Sequence, residues 1–187
     1  MSMSVEQFKN RLTGGGARNN LFKVIITDFG INDVETFSWL CRAASLPGST
    51  VAEIAVPFRG RDIYVAGDRT FEPWPVTVYN DIDNSQKGNI EGWMHSYLNK
   101  HEENTSDQHP ASYKRNMMVM QLDKAGDPVP GLSYTFIGAF PTAVGQIDLT
   151  FSSAGEVEEF EVTFRYDYWI SDRTPSPTPA QILQPVI

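Results

Sequence analysis

The chain has 187 residues, 41% of them hydrophobic and 20% charged, which is enough apolar material for one sizeable core and argues against whole-chain disorder. Its 15 Lys+Arg against 23 Asp+Glu leave a formal net charge of −8, which argues against tight, sequence-independent binding to phosphate backbones; the nearest approaches to a basic patch are Arg59 with Arg61 and Lys114 with Arg115. The lone cysteine, Cys41, has no intramolecular partner, and Met1 to Arg11 carries Glu6, Lys9 and Arg11 where a secretory signal needs an apolar region. These features predict synthesis in a reducing cytoplasm, and no apolar run reaches the roughly 18 residues of a membrane span.

Ser4-Val-Glu-Gln7 fits a capping box, and Val5, Phe8 and Leu12 follow at helical spacing, so a short helix is predicted over residues 4–13, ended by Gly14-Gly-Gly16. A helix that short is marginal in water, so its apolar stripe needs another surface. From Leu21 the period becomes that of strands: 21–27, 51–56, 76–79, 117–122, 132–137, 146–151 and 157–168 are apolar, β-branched or aromatic runs bounded by Gly, Pro, Asn or Asp. The last is two-faced, with Phe160, Val162, Phe164, Tyr166 and Tyr168 on one side and Glu159, Glu161, Thr163, Arg165 and Asp167 on the other. Residues 146–151 repeat the pattern, and the pair is predicted to form an antiparallel hairpin.

One segment departs from the β pattern. Ile90, Trp93, Met94, Tyr97 and Leu98 share a face of a helix predicted over 86–99, with Asn84 or Ser85 as its cap. Residues 46–68 read as a long excursion: a short strand, then Pro57-Phe-Arg-Gly-Arg61 and a turn at Gly67-Asp68. Excursions of that length in compact domains usually have a task. His101 to Pro110 reads as a polar loop. The chain is thus expected to be one domain over 1–170 with a proline-rich tail over 171–187, extended rather than packed.

Chemistry is weakly represented. His95, His101 and His109 match neither a helical face nor a zinc spacing, so no metal, cofactor or catalytic residue is assigned. Cys41 reads as a buried structural thiol. The carboxylates Glu156, Glu158, Glu159 and Glu161 fit a solvated face better than an acid–base pair. Trp39, Trp74, Trp93 and Trp169 read as core or interface anchors before a sugar platform.

The order and spacing of several segments resemble the tail tube proteins of contractile-tailed bacteriophages, relatives of the inner tubes of contractile injection systems. They are Asn19-Asn-Leu-Phe-Lys-Val24, Ala44-Ser-Leu-Pro-Gly48, Pro57-Phe-Arg-Gly-Arg61, Val76-Thr-Val78 with Asp81, Ile90-Glu-Gly-Trp-Met94, Tyr113, Ala139-Phe-Pro141 and 156–169. The resemblance implies a mainly-β, sandwich- or barrel-like subunit with one flanking helix. Hexameric rings of it join their sheets into a continuous inner β-barrel and stack into a tube. Carried over, it assigns ring-to-ring stacking to 46–68, with Leu46, Pro47, Pro57, Phe58, Arg59, Gly60, Arg61 and Asp68 as its residues, and to the N-terminal helix and the proline-rich tail; flanking-helix packing falls to Ile90, Trp93, Met94, Tyr97 and Leu98. A polar bore is assigned to Asp148, Glu159, Glu161 and Asp167, with Arg165 the exception unless a carboxylate pairs it. The implied partners are further copies, the tail sheath, baseplate and terminator proteins, and a tape-measure protein and then DNA in the bore without tight binding. The implied place is the virion tail, assembled in the bacterial cytoplasm. The alternatives are an injection-system or type VI secretion tube carrying protein, a carbohydrate-binding sandwich using Trp74 or Trp169, and a hydrolase using the acidic cluster.

Overall fold

The structure, a computed structural model, describes residues 4–11, 16–26, 34–98, 109–150 and 155–173. In chain order these form α1 (Val5–Arg11), β1 (Phe22–Ile26), α2 (Val34–Leu40), β2 (Cys41–Ala44), β3 (Thr50–Phe58), β4 (Arg61–Thr70) and β5 (Trp74–Tyr79). Then come α3 (Ser85–Trp93), a π-helical turn (Met94–Leu98), α4 (Pro110–Tyr113), β6 (Arg115–Leu122), β7 (Pro128–Val144), β8 (Glu159–Arg165) and β9 (Tyr168–Ser171). The mainly-β expectation holds. All the strand pairings are antiparallel.

Alternation along the strands explains the core. Val24 and Ile26 of β1, Trp74, Val76 and Val78 of β5, Met117 and Val119 of β6, Phe136 of β7, and Phe160, Val162 and Phe164 of β8 all turn inward and are buried. Strand order runs β1-β6-β7-β8-β5-β2, with β9 also on β7. The 17-residue β7 is shared: Ser133–Ala139 faces β6, Tyr134–Ile137 faces β9 on the other edge, and Phe140–Val144 pairs with β8. Register shifts between Pro141 and Ala143, and between Arg115 and Met117, bend the ladder at this transition. The sheet therefore curls over itself, and the Trp74 ring meets Phe136 at 4.2 Å between centroids. Among the described residues β1 and β2, the ends of the strand path, do not pair, so the single chain is an open curled sheet and not a closed barrel.

Several expectations need correcting. Residues 146–150 are irregular rather than a strand, and Phe151 lies outside the described residues; the ladder partners of β8 are β5 and β7. The predicted long strand is two, interrupted at Tyr166 and Asp167, because each half pairs with a different stretch of the bent β7. Alternation survives only to Tyr166, which is buried, whereas Tyr168 is exposed. The predicted strand 132–137 is the middle of β7, and the predicted turn at Gly67-Asp68 lies inside β4. Helices α2 and α4 and strand β2 were not predicted; each is too short to show a period.

The flanking helix begins where predicted but becomes a π turn at Met94. Ile90 and Trp93 are buried, with the Trp93 indole N–H donating to the Tyr113 carbonyl at 2.9 Å, while Met94 and Leu98 are half-buried. The side chain of Tyr97 lies outside the description. Asn84 is the N-cap residue of α3, as expected, with its carbonyl accepting from the Gly88 N–H at 3.0 Å, but it is left-handed and makes no side-chain capping bond; Asp81 instead accepts the Ser85 N–H at 2.7 Å and the Ser85 hydroxyl. Those bonds, the hydroxyl first, lower the Asp81 pKa. On α1, Val5 and Phe8 stay exposed, and Leu12 lies outside the described residues, as do the Gly14-Gly15 pair, 99–108 and the tail from 174.

Phe164 is fully buried between Trp74, at 6.1 Å, and Trp93, at 6.3 Å. Phe164→Ala is expected to lower unfolding free energy by about 3–5 kcal/mol, the usual cost of emptying a large aromatic site, read as a fall in the denaturation midpoint at unchanged slope.

Candidate functional site

Strands β2, β5 and β8 with the C-terminal part of β7 form a sheet whose inner face is core and whose outer face is polar. Thr77 lies opposite Glu161, Tyr79 opposite Glu159, and Pro75 and Ala143 flank Thr163. Glu159, Glu161 and Arg165 are exposed on this face. A register shift between Cys41 and Ala43 puts Arg42 on the same face, where it pairs with Glu159 and lies 5.8 Å over the Tyr79 ring. With both partners close to half exposed, that pair orients side chains more than it stabilises the fold. The strand face thus sets Glu159 and Glu161 against Arg42 and Arg165, a hydrophilic surface of mixed sign.

Both edges of this sheet are open. Among the described residues β2 pairs only with β5, and Phe140–Val144 of β7 pairs only with β8. Unpaired ladder groups on two edges are a template for further strands.

The predicted bore residues fall in two places. Glu159 and Glu161 share the exposed strand face, and Asp148 sits on the irregular segment beside it, accepting from the Gln146 amide at 3.1 Å. Asp167 instead follows the β8 break, bonded at 2.7 and 2.8 Å to the Lys114 ammonium and packed on Gly138, whose φ is +67°. Among the described residues Arg165 forms no ion pair with Glu161, Glu159 or Asp167; Glu159 pairs with Arg42 and Asp167 with Lys114. Arg42 was missed because a strand as short as β2 carries too little alternation to reveal a bulge.

The predicted excursion is a β-hairpin of its own, a two-stranded sheet. Register pairs Phe58 with Arg61, Val56 with Ile63 and Ile54 with Val65 on one face, and Pro57 with Asp62, Ala55 with Tyr64 and Glu53 with Ala66 on the other. Arg59 (φ 49°) and Gly60 (φ 83°) make the two-residue turn that such strands favour. Ile54, Val56, Phe58, Ile63 and Val65 are all exposed, as is Leu46 at the base; Pro47 is half-buried and Asp68 exposed. At the base, Trp74 donates to the Ser45 carbonyl at 2.7 Å and Trp169 to the Gly48 carbonyl at 3.1 Å. An isolated hairpin is marginal in water, and nothing among the described residues covers this one's apolar face.

Residues 6–172 match the family described as phage tail tube protein. The chain belongs to the phage tail tube protein family. It is 38% identical over 157 residues to the tail tube protein gp19 of Enterobacteria phage T4, an alignment spanning 84% of this chain and 93% of that one. It is 30% identical over 177 residues to the tail tube protein of Serratia phage KSP90, spanning 91% and 98%. In fold it is similar to a chain of the anti-feeding prophage baseplate, with a TM-score of 0.60 at 14% identity, covering 92% of this chain and 99% of that one. A chain of an extracellular contractile injection system, from its sheath–tube complex in the extended state, gives 0.56 at 15% identity, covering 91% and 98%.

Among the described residues no group of three or more His, Cys, Asp or Glu is arranged to hold a metal, and no helix is long and apolar enough to cross a membrane. His95 and His109 are exposed, and His101 is outside the described residues. Trp74 and Trp93 are core, Trp169 is half-buried at the hairpin base, and Trp39 is 79% exposed. Burial pushes the half-exposed Cys41 thiol up to about 12, partly offset by a backbone hydrogen bond at Ala43. Between pH 9 and 12 the unfolded thiol ionises while the folded one does not, so stability is expected to fall with rising pH across that window. At pH 8, alkylation of native Cys41 is expected to be roughly a hundredfold or more slower than in denaturant, because thiolate is the nucleophile; equal rates would contradict the burial.

Proposed function

We propose that this tail tube protein works entirely by self-assembly: copies join side by side into hexameric rings, rings stack into a tube, and the tube passes cargo without chemistry. What carries the ring is the pair of open edges on one polar-faced sheet. Joining the β2 edge of one copy to the β7 edge of the next satisfies both rows of backbone groups, and a closed ring leaves no edge exposed. The apolar face already packs on the subunit's own core, so the polar face with Glu159 and Glu161 is the one left to line the bore, with Asp148 near its rim. Asp167, held by Lys114, belongs to the bend.

A bore must not hold DNA, and what prevents adhesion is the scarcity of free cations on this face, since affinity for phosphates grows with each counterion-releasing contact. Arg42 is answered by Glu159; Glu161 and Asp148 outnumber the remaining cation, Arg165, and keep the rest of the surface net negative within the Debye length of about 8 Å. The likeness at 38% identity to a phage tail tube protein favours DNA as cargo over the protein cargo of an injection or secretion tube. In this reading a tape-measure protein fills the bore first, the outer surface with α3 meets a sheath, and tube ends meet baseplate and terminator proteins. The tube forms in the host cytoplasm and ends in the virion tail.

The hairpin Thr50–Thr70 is the stacking arm, because its apolar face has no cover among the described residues of the subunit. Shortening Leu46–Asp68 is expected to leave a folded subunit that forms no tubes; tubes of normal length in electron micrographs would defeat this assignment. Glu159→Lys with Glu161→Lys leaves Arg42 and Arg165 unanswered and puts four cations on the face. Rings and tubes are expected to form while DNA ejection slows, and wild-type ejection and infectivity in the double variant would count against the bore.

A further inference from the structure

The hairpin leaves the polar-faced sheet at one end, and a cleft opens at the other. Trp74, opposite Phe164, follows directly on the hairpin's return strand; Tyr79, opposite Glu159, marks the far end of the same strand, roughly 17 Å away at about 3.3 Å per residue. At that far end a cleft of about 940 Å³ lies between the irregular segment Gln146–Thr150 and the approach to β8. Its walls expose Leu149 (79%) and Val157 (67%) and carry Asp148, Glu156 and Glu158. Glu158 accepts from the Asn80 amide at 3.1 Å, and neither it nor Glu156 has a cation partner among the described residues.

The hairpin tip has the opposite character. Arg61 ends its apolar face beside Phe58, and Arg59 sits at the turn, 5.4 Å over the Phe58 ring, with no carboxylate pairing either among the described residues. The cleft is of mixed polarity and net acidic: the one cation on its walls, Arg42, is paired with Glu159, which leaves Asp148, Glu156 and Glu158 beside the exposed Leu149 and Val157, so two arginines on an apolar ribbon complement it in charge and meet apolar side chains there. Their placement at opposite poles means one chain cannot bring them together, whereas translation of a second copy along the strand direction can.

We propose that the tip of the hairpin of one copy seats in this cleft of a copy in the adjacent ring, with Arg59 and Arg61 against Glu156 and Glu158 and the apolar face over Leu149 and Val157. This rests on the hairpin being the stacking arm and names its receptor. A contact between unlike surfaces does not close on itself, so it propagates an open filament with a fixed direction.

Charge exchange tests it on the full-length protein. Arg59→Glu with Arg61→Glu, and separately Glu156→Lys with Glu158→Lys, are each expected to raise the concentration needed for tubes by about tenfold or more, with rings intact by sedimentation. Combining all four substitutions in one chain is expected to restore tubes. In parallel, Phe58→Cys with Val157→Cys, in a Cys41→Ser background, is expected to give an oxidation-dependent ladder of linked chains from assembled tubes. Absence of both rescue and ladder, while hairpin shortening still abolishes tubes, overturns the cleft as receptor and leaves the stacking arm standing. Normal tubes after hairpin shortening overturn both.

Discussion

One strand serves two sheets. The first part of β7 is paired on both edges, by β6 and β9, but past Ala139 only β8 remains beside it. The bend that allows this runs through Gly138, whose left-handed backbone leaves no room for a Cβ, the space being taken by the Asp167 carboxylate that Lys114 holds. Because β7 turns away from β6 there, its last residues keep a row of unpaired backbone groups. The bend thus folds a continuous ladder around a core and also produces one of the two edges that the proposed ring uses.

The subunit is stable at its centre and incomplete at its margins. Phe136, Phe160, Phe164 and Trp74 are fully buried in one cluster, which is where apolar burial gives most of the folding free energy. The hairpin, the open edges and α1 carry apolar groups or ladder groups that the described residues of a single chain do not satisfy. Each is a hazard for a monomer, and in the proposed tube the hairpin and the edges become joints. The two indole N–H groups that tie down Ser45 and Gly48 fix where the hairpin leaves the body, so the arm is anchored at its root by the same core that packs Trp74.

Strand content, the apolar side of β8 and the helix carrying Ile90 and Trp93 were legible in the amino-acid sequence, because a period of two or of 3.6 over six or more residues is a local signal. Residues 146–150 misled: Ile147 turns toward the core and Leu149 away from it, side chains placed without a ladder to hold them. Alternation reports only which side chains face the same way; backbone pairing depends on what lies alongside. The same limit hid Arg42, whose position on the polar face comes from a bulge, and Tyr168, whose side was changed by the break after Tyr166.

The sequence by itself determined that the chain is mainly β, acidic and without a recognisable reaction centre, and the order of its segments carried the resemblance to tail tube proteins. Only tertiary structure decided that residues 50–70 are a hairpin whose apolar face the described residues leave uncovered, that Asp167 is bonded into a bend, and that the root of the hairpin and the acidic cleft lie at opposite ends of one sheet. The physical reason is that hydrophobic periodicity is written residue by residue, whereas edges, poles and clefts exist only once distant segments have paired.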